Sequence, residues 1–387
     1  MSRQLKVALL IESSNAYARG LLRGVAAYMR EHRPWSVYLA EASRGEGSLG
    51  WLADWDGHGV IARVENAAVA RALRGLSVPV VDVSAARKIP ALPWVETDDD
   101  AIARMAAEHL LERGFRHFGY CGDDAFNWSR WRQARFESLI RSAGRSCSVY
   151  RPPAGRRAAS AEAEAIAGWV RSLPRPVGVM ACYDYRARQV LDACRRLGAA
   201  VPDEVAVIGV DNDEVLCELC DPPLSSVIPN TRRTGYEAAA LLDRMMAGER
   251  VKGAALRIEP LGVATRLSTD VLAIDDRGVA AAVRHIREHA CDGINVKDVL
   301  RAVPQSRRSL ESRFRKLIGR TPHEEILRVQ LGRARLLLAE SELSLKQIAE
   351  QTGFAHAEYL SAVFRREVGI PPGRYRARSR PRAARAR

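Results

Sequence analysis

The segment Phe364–Arg376, FRREVGIPPGRYR, repeats with small changes a segment fifty residues upstream, Phe314–Ile326, FRKLIGRTPHEEI. Phe, Arg, a basic residue, any residue, an aliphatic, Gly and, three residues on, Pro recur in the same order. Leu310 and Leu360 extend the match, each four residues before its Phe, which marks a buried stripe at helical spacing. Each copy follows a short helix and a turn. In the second, SLKQIAEQTGF (344–354) carries Ile348 and Ala349 on an apolar face, turns at Gly353-Phe354 and leads to a helix from near His356. In the first, VKDVLRAV leads through a turn at Pro304-Gln305 to a helix from Ser306. A short helix, a tight turn and a second helix with a polar outer face form the helix-turn-helix pattern, whose second helix can enter the DNA major groove. A helix over about 323–340 joins the copies and would set two reading helices roughly 34 Å, one DNA turn, apart.

Charge supports the same reading. Residues 276–387 hold 24 of the 60 Lys+Arg and 12 of the 46 Asp+Glu, a net of +12 out of +14 for the whole chain. A near-neutral body is thus joined to a strongly basic end, as expected for a polyanion partner. Arg307, Arg308, Arg313, Arg315, Lys316, Arg365 and Arg366 crowd the two units and suit phosphate neutralisation. Residues 377–387 read as a basic, disordered tail, since seven Arg and no acid occur from residue 374 onward.

Upstream the pattern differs. Short apolar runs alternate with helical stretches over 5–265: LKVALLI (5–11), WSVYLA (35–40), GVIA (59–62), VPVVDV (78–83), HFGYCG (117–122), VGVMAC (177–182), VAVIGV (205–210) and SSVI (225–228). This alternation predicts an α/β body of parallel sheets flanked by helices, and about 260 residues suggests two doubly wound lobes with a cleft between them. The run VALLI is too short for a signal sequence, and no window reaches the ~18 apolar residues of a membrane span. Seven cysteines scattered through apolar segments predict reduced thiols and a cytoplasmic protein. Cys217-Glu-Leu-Cys220 is an isolated CxxC, either a pair of packing residues or a metal or redox site. No P-loop, GxGxxG loop, serine elbow or metal-ligand cluster is visible, so neither an enzyme, a metal nor a cofactor is expected.

Ligands of open α/β sheets bind outside the carboxyl ends of the strands, and polar and aromatic residues gather there. VALLI runs into Ser13 and Tyr17, HFGYCG toward Trp128 and Arg132, VMAC into Tyr183 and Asp184, and VIGV into Asp211. Carboxylates accept paired bonds from vicinal hydroxyls, Arg donates in a fixed fork, and rings cover C–H faces, a combination suited to a small polyhydroxylated ligand such as a sugar.

IAEQTGF, VFRREVG and PPGRYR resemble the signature of AraC-type transcriptional activators, and the upstream copy resembles their first helix-turn-helix, over residues 277–376. The resemblance implies that Ser306, Arg307, Arg308, Glu311, Ser312, Arg315 and Lys316 face DNA from the first unit. His356, Ala357, Glu358, Ser361, Ala362, Arg365 and Arg366 do so from the second. Two alanines leave the second helix few hydrogen-bonding groups, so base readout is expected mainly from the first. VIGVDND and RWRQARF resemble the sugar-binding body of LacI-type repressors and periplasmic sugar-binding proteins. By that resemblance Arg132, Asp184 and Asp211 are ligand residues, Tyr183 replaces the usual Asn, and Arg135 stands where Gly is common. The two halves together, with LSSVIPNTRRTGYEAAALL, RLSTD and IREHACDGINVKDVL, resemble xylose-responsive transcriptional activators. The expected organisation is a ligand-binding domain (1–268), a linker (269–276), a DNA-binding domain (277–376) and the tail. The residues themselves suit xylose, arabinose, ribose or a larger sugar, and the alternative reading is a regulator that responds to a non-sugar ligand. The resemblance implies D-xylose or a related pentose, a homodimer on double-stranded DNA, and RNA polymerase as a partner.

Overall fold

The computed structural model describes residues 4–40, 49–152, 159–251, 255–270, 276–303 and 305–379. Two six-stranded sheets form the body. The first holds β1 (Lys6–Leu10), β2 (Ser36–Leu39), β3 (Gly59–Ala62), β4 (Val80–Asp82) and β5 (Trp94–Thr97). The second holds β6 (His117–Cys121), β7 (Ser146–Val149), β8 (Val177–Ala181), β9 (Val205–Val210) and β10 (Ser225–Ile228). The chain then returns for β11 (Ala255–Ile258) and crosses again for β12 (Gly262–Ala264). The orders are β11-β5-β4-β3-β1-β2 and β12-β10-β9-β8-β6-β7. Every pairing is parallel except that of β10 with β12. Parallel strands need crossover helices on both faces, which is why the inner strands are continuous apolar runs.

The eight strands read from the sequence are all present, and β5, β7, β11 and β12 are additional. The missed ones are short, and β7 and β11 carry exposed polar residues (SCSV, ALRI), which hides them from a hydrophobicity reading. Helices α1 (Ala16–Glu31) and α2 (Ala67–Arg74) cover the first sheet, α3 (Asp99–Leu111), α4 (Asn127–Ser142), α5 (Ala159–Ser172), α6 (Asp184–Leu197) and the short α7 (Glu214–Glu218) the second. α8 (Thr231–Met246) returns to the first lobe and packs along α1. Backbones touch there: a methyl on Gly24 would collide with the Arg232 carbonyl, and one on Gly235 with that of Leu21.

The chain passes between the sheets three times, at 98–99, 229–231 and 259–261. These crossings are bonded to one another: Asp98 N donates to Ile258 O at 2.8 Å and Leu261 N to Ile228 O at 2.9 Å.

The C-terminal part is helical: α9 (Arg277–His289), α10 (Val296–Ala302), α11 (Arg307–Ile318), α12 (Pro322–Glu340), α13 (Leu345–Gln351), α14 (Ala357–Val368) and α15 (Pro372–Ser379). Its two cores are built alike, around Leu310 and Phe314 in one and Leu360 and Phe364 in the other. Gly319 and Gly369 end the second helix of each unit with φ of 80° and 79°, a left-handed cap that glycine adopts without strain. Thr321 and Pro322 then start α12 with a capping box and a proline in the first turn.

Two boundaries differ from the sequence reading. Thr269, placed in the linker, is fully buried in the second lobe and its hydroxyl meets His109 Nε2 at 2.8 Å and Ser225 Oγ at 2.7 Å. Residues 271–275 of that linker and Pro304 of the first turn lie outside the described residues. α15 runs on to Ser379, beyond the expected start of the tail at 377, because its end meets the body; residues 380–387 lie outside the described residues.

The α1–α8 contact gives a direct test. Gly24→Ala should lower stability by about 1–3 kcal/mol. Gly168→Ala, in α5 with no atom within 4 Å of the new methyl, should raise it by about 0.5–1 kcal/mol, both read by denaturant unfolding.

Candidate ligand cleft and nucleic-acid interface

The carboxyl ends of the two sheets face each other. Asn127 Nδ2 of the second lobe donates to Ala85 O and Ala86 O of the first at 3.1 and 3.2 Å, and Arg19 of α1 pairs with Asp213 at 3.7 Å.

On the second lobe, four of the expected residues come together. Arg132 is 4% exposed; its Nε donates to Asp99 Oδ1 at 2.7 Å, its Nη1 to Cys182 O at 2.6 Å, and its guanidinium lies 5.0 Å from the Trp128 ring. Trp128 stacks on Phe126 at 5.0 Å and meets Tyr183 edge-on at 5.6 Å, so Phe126, Trp128 and Tyr183 form one aromatic wall. Asp211 acts electrostatically on both Arg132 and Asp184.

Asp184 plays a different part from the one expected. It is 2% exposed, and its oxygens accept from Ser226 Oγ at 2.6 Å, Asp213 N at 2.8 Å and Cys217 Sγ at 3.5 Å. It therefore faces the interior rather than the cleft. What it holds is the turn that presents Asp211. Asp211 and Asn212 have φ of 107° and 47°, a strained conformation for residues other than glycine. Asp184, Ser226 (bonded to Asn212 N at 3.0 Å) and Arg266 (bonded to Asn212 Oδ1 at 2.9 Å) pin it from below. Burial, and then the Asp211 charge, push the Asp184 carboxyl up to about 8. Cys217 and Cys220 are both buried, and Cys220 Sγ donates to Leu216 O at 3.2 Å. This matches the packing reading of the CxxC.

The first lobe contributes Tyr17, whose hydroxyl donates to Glu96, while Ser13 stays exposed and gives only its carbonyl, to Arg19. Sequence reading missed the charged residues around them. Arg63, 8% exposed, bridges Glu12 and Glu65 and lies 5.2 Å from the Tyr17 ring. Glu96 is buried; desolvation and the neighbouring Asp99 push its carboxyl up to about 7. Arg63 directly follows GVIA, so its place at a strand end was a readable signal. Glu96 lies in WVET, whose polarity concealed β5. A cavity of about 550 Å³ opens between the lobes beside Glu96, lined by Arg87, Trp94, Asp99, Trp131 and Arg135 among others. None of the seven residues expected for the ligand lines it. Its size falls within the range of small-molecule sites.

On α11, Arg307, Arg308, Glu311, Ser312, Arg315 and Lys316 share one outward face at helical spacing. Arg307 Nε donates to Glu311 Oε1 at 2.8 Å, which orients the guanidinium before any partner arrives. Ser306 is spent differently: its hydroxyl accepts from Ser309 N at 3.3 Å and caps the helix. On α14, His356, Glu358, Ala362, Arg365 and Arg366 are exposed and Ser361 half-buried. Ala357 packs against the core of its unit, so its methyl is turned inward, contrary to the expectation that it faces bases. Tyr359, overlooked in the sequence because attention fell on its alanine neighbours, is 48% exposed on the same helix and braced against Phe354 at 5.9 Å.

Among the described residues no helix is long and apolar enough to cross a membrane, and no group of three or more His, Cys, Asp or Glu could hold a metal.

Three measurements check these placements. Asp184→Ala should cost about 3 kcal/mol by stranding buried donors. The folded Asp184 pKa of about 8 exceeds the ordinary 3.8, so this group's stability contribution falls as pH rises from about 4 to about 8. Asp184→Asn should flatten that slope in melts run across the range. Lys316→Ala should weaken DNA binding evenly across sequences and reduce the slope of log K against log salt by about one, whereas Arg307→Ala should cost about 1–3 kcal/mol and relax base preference.

Family models match three stretches: a XylR N-terminal domain over residues 6–100, a periplasmic binding protein-like domain over 107–269 and a helix-turn-helix domain over 299–378. The xylose operon regulatory protein of Escherichia coli K12 is 32% identical over 388 residues, covering 97% of each chain. That of Haemophilus influenzae is 31% identical, covering 96% of this chain and 98% of its own. The solved structure of a xylose-binding transcription activator, XylR, superposes with a TM-score of 0.64 at 32% identity, covering 97% of this chain and 98% of that one. The chain belongs to the family of xylose operon regulatory proteins, sugar-responsive transcriptional regulators with an AraC-type DNA-binding end.

Proposed function

We propose that this regulator takes D-xylose or a closely related pentose in the cleft between its lobes and, as a cytoplasmic homodimer, activates genes of pentose use by recruiting RNA polymerase. The observation that carries the ligand reading is the presentation of Asp211. A strained, well-braced turn carries this carboxylate, which acts electrostatically on Arg132, and the Arg132 guanidinium lies against the aromatic wall. A fixed carboxylate, a guanidinium and aromatic faces bind vicinal hydroxyls and C–H surfaces. Names borne by the relatives point to xylose in particular.

Ligand bound to both lobes favours their closed arrangement. To move the protein from 1:99 to 99:1 in favour of the closed state, it must prefer that state by about 5.5 kcal/mol. The closed body then sets how the basic helical ends meet DNA, with Arg308, Arg315, Lys316, Arg365 and Arg366 on phosphates and Arg307 with Glu311 and Ser312 on base edges.

A thermal-shift panel of pentoses and hexoses tests the assignment. D-xylose at a hundred times its Kd should stabilise the protein by about 2.7 kcal/mol. Asp211→Ala should abolish that shift while leaving the unliganded melt near its original temperature. A panel in which no pentose stabilises the protein refutes the ligand, and an unchanged shift in Asp211→Ala removes that residue from the site.

A further inference from the structure

We infer that the DNA-binding end grips both lobes across their hinge, and that the grip of α15 on the first lobe is the one released when the lobes close. The inference rests on the reading that ligand closes the cleft.

α12 lies along the second lobe. At 19 residues it is about 28 Å long. Near its start, Arg320 and Arg328 reach Glu112, the residue that ends α3, at 3.3 and 3.1 Å. The same two arginines are held from behind by the fully buried Glu325, at 2.7 and 2.8 Å. Beside them Arg113, 2% exposed, donates to Thr269 O at 2.6 Å, so the route toward the helical end is fastened at the same place. At its far end α12 places Leu336 and Ala339 against Ile228, Leu261 and Ala264. Ile228 and Leu261 belong to two of the three crossings and are joined by the Leu261–Ile228 backbone bond. The last turn of α12 therefore sits on the hinge itself.

The third grip is on the other lobe. Asn230 caps α8, and its Nδ2 donates to Ser379 O at 3.4 Å. Arg233 Nη1 donates to Ala377 O at 3.3 Å. α8 is part of the first lobe, packed backbone to backbone on α1.

A body held on both sides of a hinge cannot keep all its contacts when the hinge bends, because hinge motion concentrates its dihedral changes in the crossing residues. One grip must yield. The Glu112 cluster pairs charge with charge at short distance, with a buried carboxylate behind it. Among the described residues the α15 grip includes bonds of 3.4 and 3.3 Å to backbone carbonyls at the end of an eight-residue helix. Both Glu112 contacts pair opposite charges at short distance, whereas on α15 Asn230 donates without charge and Arg233 meets only a neutral carbonyl. The α15 grip is the weaker. α15 also packs on α14, with Tyr375 edge-on to Phe364 at 5.3 Å. Its release frees the end of the second unit from the first lobe, while α12 keeps both units with the second lobe.

The test uses the full-length protein and a duplex that the wild type has selected from a random pool. Arg233→Ala combined with Leu336→Ala removes the grip on the first lobe and loosens the seat on the hinge. The sugar-free affinity of this variant for the duplex should change by at least threefold, and any sugar response seen in the wild type should shrink toward none. The variant should still melt cooperatively, and the shift that D-xylose gives should be at least as large as in the wild type, because closure no longer has to break the grip. In the wild type, amide hydrogen exchange at 372–379 should rise at least threefold on saturation with D-xylose. Unchanged sugar-free affinity in the folded variant overturns the proposal, as does unchanged exchange at 372–379 in protein that D-xylose demonstrably stabilises. If D-xylose stabilises nothing, the ligand reading fails on its own, and the sugar-free affinity still decides whether the grip matters.

Discussion

Three short lengths of backbone join the two sheets, and they are the only covalent route by which one lobe can influence the other within the described residues. Each crossing is a strand end passing into a segment of the opposite lobe, and hydrogen bonds tie the three side by side. That arrangement permits bending as a unit and resists shearing. The ligand cleft lies on one side of this joint. Asp99, at the first crossing, is bonded to Arg132, so a residue of the cleft is attached directly to the joint. α12 lies on another part of it. The protein thus has one mechanical centre, with chemistry placed around it.

Buried ionisable groups are used for fastening more than for recognition. Asp184, Glu325, Arg113 and Arg132 are each at least nine-tenths buried and each meets several partners. Removing one partner from such a set leaves the others desolvated without compensation, which is far more costly than the modest net value of the intact pair. These positions therefore behave as all-or-none fixings. Asp184 fixes the Asp211 turn, Arg132 fixes the start of α3 against α4, and Glu325 fixes two arginines at the end of α3.

Much of this was legible before any coordinates. Strands such as GVIA and VAVIGV are pure apolar runs with one possible neighbourhood, so their reading came out residue for residue. The repeated Leu and Phe positions stated two small helical cores, because a period of four with an aromatic needs a buried stripe. What hid was polar. ALRI is an exposed edge strand, where hydrophobicity no longer reports structure, and WVET is an inner strand that buries a glutamate and a threonine, so its polarity concealed it. On the second lobe, strand-end position picked out Arg132, Trp128, Tyr183 and Asp211, which the fold brings near one another. It could not separate the half-buried Asp211 from Asp184, held inside by other side chains, since both follow a strand in the same way. The difference depends on Ser226 and Asp213 arriving from elsewhere in the chain. Arg63 and Glu96 escaped because charged residues beside short strands read as surface until the opposite lobe covers them.

The two helix-turn-helix units share the same buried frame yet expose unequal faces, one with paired Arg307 and Glu311 among four further polar groups, the other with Ala362 and an inward Ala357. Such a pair has a direction. Laid on DNA with both units, a single chain would present unlike side-chain faces to the two stretches beneath it. Reversing the chain on the same duplex would exchange them at a loss. The chain therefore has a built-in polarity along the helix axis, and a regulator with polarity can distinguish the upstream from the downstream side of its own site.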